Sequence, residues 1–259
     1  MNINNLYGFI LAILLTLVPA KIFLSVTSNG FENSYFFIII SVLAFLLLFY
    51  LVSNLDTSNK KNFEKLNSSP LLGILSSLVS LCFVWNGVAF LTSAPYYDTH
   101  VNYFFIMLFS FLSAASFLFS TVSHFIGKNR FKGFQLVIFA PLVCFMISLT
   151  LFLSLAKNHN GYVMASQSFL AMFFVYYIRT FVGSKTKINI IKRLFLFSIS
   201  SFLASLMSNI AVIFRNFDFS NIDFVTSVVY TVVSIYALVF TFVSFKENQR
   251  NVDSSKIQA

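Results

Sequence analysis

Residues 35–53 read Tyr35-Phe36-Phe37-Ile38-Ile39-Ile40-Ser41-Val42-Leu43-Ala44-Phe45-Leu46-Leu47-Leu48-Phe49-Tyr50-Leu51-Val52-Ser53. The stretch holds no charge. Its apolar residues follow neither the two-residue alternation of a barrel strand nor the one-sided stripe of an interfacial helix. Wound as a helix at ~1.5 Å per residue, it is long enough to cross a hydrocarbon core of about 30 Å. Lipid also favours a helix, because no water is present there to pair a free backbone N–H or C=O. The stretch therefore predicts a transmembrane helix.

Seven more runs of the same kind lie around it, at about 6–28, 71–93, 102–123, 134–156, 162–183, 194–214 and 224–245. The expectation is an all-α, polytopic transmembrane bundle of eight helices, a single integral membrane domain over 1–259. Composition agrees: 58% of residues are apolar, 19% aromatic and only 10% charged, against about 25% charged in a soluble domain. Disorder needs the opposite balance, and two cysteines make no disulfide scaffold. The breaks between runs are short and polar. The longest, 54–70, leaves no room for a soluble domain of ordinary size. Met1-Asn2-Ile3-Asn4-Asn5 carries no positive side chain, and no small-residue cleavage site closes the first run cleanly. The first run is thus expected to be a retained helix rather than a signal peptide. The runs do not superpose as a strong internal repeat.

Charge sets the expected orientation. Fourteen of the seventeen Lys and Arg fall in alternate breaks: Lys60, Lys61 and Lys65; Lys128, Arg130 and Lys132; Arg179, Lys185, Lys187, Lys192 and Arg193; Lys246, Arg250 and Lys256. Lys21, Lys157 and Arg215 fall on the other side. By the positive-inside rule both termini are expected in the cytoplasm, with the protein in a plasma membrane. The net charge of +9 then reflects topology and contact with anionic headgroups. No nucleic-acid partner is expected, since the basic breaks interleave no aromatic platform.

Polar side chains within apolar runs mark packing or function. On this topology Lys21, Asn86, Gln167 and Asn209, from four different runs, all fall within roughly the outer third of the bilayer at ~1.5 Å rise per residue. Two readings stay open. In one, they line an outward-facing polar pocket, walled by Trp85 and rimmed by Glu32, Asp98, His100, His159 and Arg215. In the other each acts alone, with Lys21 snorkelling to headgroups and the amides bonding between helices. Ser198, Ser201, Ser205 and Ser208 place small residues on one helix face. They read as packing, as do Gly73, Ser77 and Ser80. Pro141 and Pro19 are expected to kink their helices, and the Tyr176-Tyr177 and Tyr96-Tyr97 pairs read as interfacial anchors. Cys82 and Cys144 read as small apolar side chains.

Several chemistries find no residues. There is no His-Glu-x-x-His motif, no Gly-x-Ser-x-Gly elbow and no nucleotide-binding glycine loop. All eight Asp and Glu fall outside the apolar runs, which leaves no intramembrane carboxylate pair and none of the acids usual in ion-coupled transporters. No catalytic residue, metal or cofactor is expected, although a lipid-headgroup enzyme using outer-face residues stays open.

Pro19-Ala20-Lys21 before Thr27-Ser28-Asn29-Gly30-Phe31, the opening Ser69-Pro70-Leu71-Leu72-Gly73-Ile74-Leu75-Ser76 and the closing Tyr176-Tyr177-Ile178-Arg179 are similar to a group of uncharacterised multi-pass membrane proteins of anaerobic Gram-positive bacteria. The resemblance implies a bacterial plasma membrane and no activity. The expected function is a non-enzymatic sensor or membrane subunit whose pocket takes a small molecule or lipid headgroup. The alternatives are a small-solute transporter or permease-like protein, and a structural partner of another membrane protein.

Overall fold

The computed structural model describes residues 8, 12, 35–54, 62–63, 69–93, 100–126, 137–154, 161–182, 186–215 and 222–257. Seven helices lie among them: α1 (Tyr35–Ser53), α2 (Pro70–Ser93), α3 (His100–Ile126), α4 (Ala140–Ser154), α5 (Gly161–Val182), α6 (Ile188–Arg215) and α7 (Ile222–Ile257). A two-residue strand β1 (Asn62–Phe63) pairs antiparallel with β2 (Thr186–Lys187). Of the expected first helix, Gly8 and Ala12 are helical, and the rest of 6–28 lies outside the described residues.

Local chemistry fixes several ends. Ser69 and Pro70 start α2 as cap and first helical residue, with the Gly73 N–H donating to the Ser69 carbonyl at 3.0 Å. Pro141 does not kink a helix. The chain enters α4 through a 3-10 turn, Val137–Phe139, and Pro141 falls in the first turn of the α-helix, where its missing N–H is not needed. At the far end α7 continues to Ile257, well past the expected limit at 245, so the basic C-terminal segment extends the helix instead of leaving it.

Contacts run α2–α3–α4–α5–α6–α7 and back from α7 to α2, closing a ring, with α1 against α6. Consecutive helices are antiparallel. Asn86 meets Ser110 and Ser76 meets Ser120 between α2 and α3, while Trp85 near the end of α2 meets Phe224 near the start of α7. The interior is filled by aromatic rings. Phe83, Phe117, Phe145, Phe174, Tyr230 and Tyr236 interlock from five helices at centroid separations of 5.1–6.2 Å, within the range of favourable edge and offset contacts. Small residues bring α2 and α3 together: a Cβ on Gly73 would lie 2.9 Å from the Phe125 ring, and one on Gly87 2.9 Å from Phe111. Ser80 belongs to this seam and donates to the Ala114 carbonyl at 2.8 Å. Ser77 does not; it bonds back to Ile74 in its own helix, and Ser76 takes the facing position.

Outside, the surface is apolar. Ile74, Leu78 and Leu81 on α2, with Phe104, Leu118 and Val122 on α3, turn away from the protein. A water-soluble monomer rarely exposes an apolar surface this continuous. Among the described residues four stretches, Pro70–Thr92, Tyr103–Ile126, Asn189–Asn209 and Phe224–Ser244, are long and apolar enough to cross a bilayer. This is a helical bundle with the surface of a membrane protein. Gly87→Leu is expected to overfill the α2–α3 seam and lower stability by about 1–3 kcal/mol. Val88→Leu, on the outer face, should leave it unchanged; unfolding in detergent micelles measures both.

Candidate functional site

Three of the polar residues singled out in the sequence turn inward. Asn86, Gln167 and Asn209 expose 2%, 0% and 5% of their surface. Each lies six or seven residues from the end of its helix, on the side where α2 and α6 end and α5 begins. Hydrocarbon enforces this, because an amide facing lipid would have no hydrogen-bond partner. Trp85, next to Asn86, is half-buried and packs edge-on against Phe224 at 6.4 Å, where α2 closes on α7.

The amides are bonded at nitrogen. Asn86 Nδ2 donates to Ser110 Oγ at 2.9 Å, and Ser110 lies 3.6 Å from the Cys144 thiol. Ser148, one turn along α4, approaches both Cys144 and the Tyr230 hydroxyl. Gln167 Nε2 donates to that same hydroxyl at 2.9 Å. Asn86 and Gln167 are thus the two ends of one polar chain that crosses the ring through α2, α3, α4, α7 and α5. Nearby, Ser166 and Ser205 share a 2.5 Å hydrogen bond, and Ser205 donates to the Tyr230 carbonyl. Asn209 sits one turn further along α6 and donates to the Ser227 carbonyl at 3.1 Å and to Thr231 Oγ1. The carbonyl oxygens behave differently. Asn86 Oδ1, Gln167 Oε1 and Asn209 Oδ1 are all buried without a hydrogen-bond partner, as are the hydroxyls of Ser123 and Ser200. Three strong acceptors at one end of the bundle therefore lack donors.

At the other end the interior is hydroxylic. Tyr177 and Tyr236 share a 3.0 Å hydrogen bond, and Ser76 meets Ser120 at 3.4 Å. Beside them a cavity of about 10 Å³ is lined by Ser116, Phe117, Ser120, Ile138, Pro141, Phe174 and Tyr177, about the room of one water molecule. Tyr176 and Tyr177 are therefore not surface anchors. Both are buried, Tyr177 against Tyr236 and Tyr176 stacked on Phe197.

The remaining candidates are less fully placed. His100 opens α3 and Arg215 closes α6. Lys21, Glu32, Asp98 and His159 lie outside the described residues, as do Pro19 and the Tyr96-Tyr97 pair. Among the described residues no group of three His, Cys, Asp or Glu side chains gathers that could hold a metal. Of the serine stripe on α6, Ser198, Ser201 and Ser208 bond to their own helix and give α5 and α7 a slim surface to pack on. Neither Tyr230 nor Tyr236 is singled out in the sequence, yet with Tyr177 they hold the centre of the ring. Their signal was weak, since a tyrosine in an apolar run passes for one more aromatic residue. The chain matches no known protein family, no curated protein and no solved structure.

Tyr230→Phe strands the Gln167 amide entirely and should cost about 1–3 kcal/mol. Adding Gln167→Leu removes the stranded group, so the double variant should be more stable than Tyr230→Phe alone. Thermal unfolding in one detergent compares the three proteins.

Proposed function

We propose that the protein is a multi-pass plasma-membrane protein of eight helices with both termini in the cytoplasm. Its non-basic end forms an outward-facing polar pocket for a small molecule or lipid headgroup. The observation that carries this reading is the set of three buried amide oxygens, on Asn86, Gln167 and Asn209, that accept no hydrogen bond. Each such acceptor in a low-dielectric interior carries a desolvation cost of about 1–3 kcal/mol. A ligand bearing N–H or O–H groups offsets it. On this reading Lys21 and the rim residues Glu32, Asp98, His100, His159 and Arg215 bring both signs of charge and Trp85 an apolar wall, which suits a zwitterionic or neutral polar ligand over a simple ion. The pocket makes the protein a sensor or a ligand-binding subunit of a larger membrane assembly. No step of catalysis is assigned to it.

Permeation of a small solute is the second reading. It draws support from the hydroxyls of Ser76, Ser80, Ser110, Ser120 and Ser148, all buried, which continue from the amides toward the basic end. Solute flux into proteoliposomes would favour it.

Phosphoethanolamine and phosphocholine probe the pocket, since both carry a phosphate and only the first has N–H donors. Phosphoethanolamine is expected to raise the Tm of the wild-type protein by about 5–10 °C at roughly a hundredfold excess over Kd. Phosphocholine should raise it less, and Gln167→Leu with Asn209→Leu should erase the difference. Equal responses to the two probes would overturn the pocket and leave the amides to helix packing or to a membrane protein partner.

A further inference from the structure

Basic residues gather where α5 ends and α6 begins. The second turn of α6 carries Lys192 and Arg193. Lys192 has a structural role: its Nζ donates to the Ser53 carbonyl at 2.6 Å and closes the end of α1. Arg193 has no such role. It is exposed, its Nη1 donates to the Tyr176 hydroxyl at 2.7 Å, and its guanidinium lies 5.2 Å from the Tyr176 ring centre. Arg179, in the last turn of α5, brings a second exposed guanidinium to 5.9 Å from the same ring. Phe197 stacks on Tyr176 at 5.7 Å, nearly parallel, so the ring that both arginines share is itself held in place.

Both guanidinium groups lie within 6 Å of one ring centre, and two cations drawn to the same ring repel each other. An anion between them relieves that repulsion. The planar guanidinium fork fits phosphate oxygens best. The location fits a lipid phosphate, since both arginines are exposed near one end of a bundle whose outer face is apolar along its middle. We propose that Arg179 and Arg193, oriented by Tyr176, form a phosphate-binding site that takes the phosphodiester of an anionic lipid. Basic residues between helices at a membrane face suit such headgroups.

The test uses the full chain in nanodiscs of phosphatidylcholine with or without phosphatidylglycerol, with lipid binding read by native mass spectrometry and stability by Tm. Wild-type protein is expected to prefer phosphatidylglycerol by about 30-fold, roughly 5-fold from each arginine. Arg193→Gln should lose its share, and Arg179→Gln with Arg193→Gln should lose nearly all of it. Tyr176→Phe keeps the ring and both charges while freeing Arg193, and should weaken binding less than Arg193→Gln. Inorganic phosphate distinguishes the source: if it raises the Tm as phosphatidylglycerol does, the ligand is free phosphate, and if it does not, the ligand is the lipid. No preference in the wild-type protein, or a full preference retained by the double variant or by a well-folded Arg193→Gln protein, overturns the site.

Discussion

Polar groups cannot face hydrocarbon without losing their hydrogen-bond partners, and this constraint sets the rotation of each helix in the ring. Asn86, Gln167 and Asn209 have no tolerable position on the lipid side, so α2, α5 and α6 turn them inward. Ser110, Cys144, Ser148 and Tyr230 follow from the facing helices. The apolar residues then cover the outside by default. Between helices such hydrogen bonds contribute only about 0.6 kcal/mol each. Their larger effect is to exclude other rotations, each of which would strand an amide in lipid.

The interior has two layers of different chemistry. Toward the end where α3 begins, amides and hydroxyls form a chain whose carbonyl oxygens are left over. Toward the basic end, Tyr177, Tyr236, Ser76 and Ser120 form a hydroxyl cluster beside a cavity the size of one water. Between the layers Phe83, Phe117, Phe145 and Phe174 interlock.

Much of this was legible in the sequence, for physical reasons. Runs such as Phe36-Phe37-Ile38-Ile39-Ile40 admit only a helix, so the existence of α1 to α7 followed from composition and length. Asn86, Gln167 and Asn209 could be set at one depth, but their rotation stayed open between a shared pocket and separate interhelical bonds, because no residue in a helix reports where its neighbours stand. Pairing did not follow. Nothing in the sequence says that Gln167 meets Tyr230 or that Arg193 meets Tyr176, since both depend on which helices become neighbours around the ring. Pro141 was misread because a proline in an apolar run looks the same at a helix start as in its middle. Tyr176 and Tyr177 were misread because their nearness to basic residues outweighed the inward faces they occupy on α5.

Ring closure is the point on which the helix rotations, the amide layer and the proposed pocket all converge. It is tested by placing cysteines at Trp85 and Phe224 in a protein without Cys82 and Cys144 and treating it in membranes with a short bifunctional thiol reagent. An intramolecular link between α2 and α7 is the expected product, with none from cysteines at Leu81 and Phe224, because Leu81 faces outward. A link through Leu81 and none through Trp85 would contradict the inward face assigned to Asn86 and everything built on it.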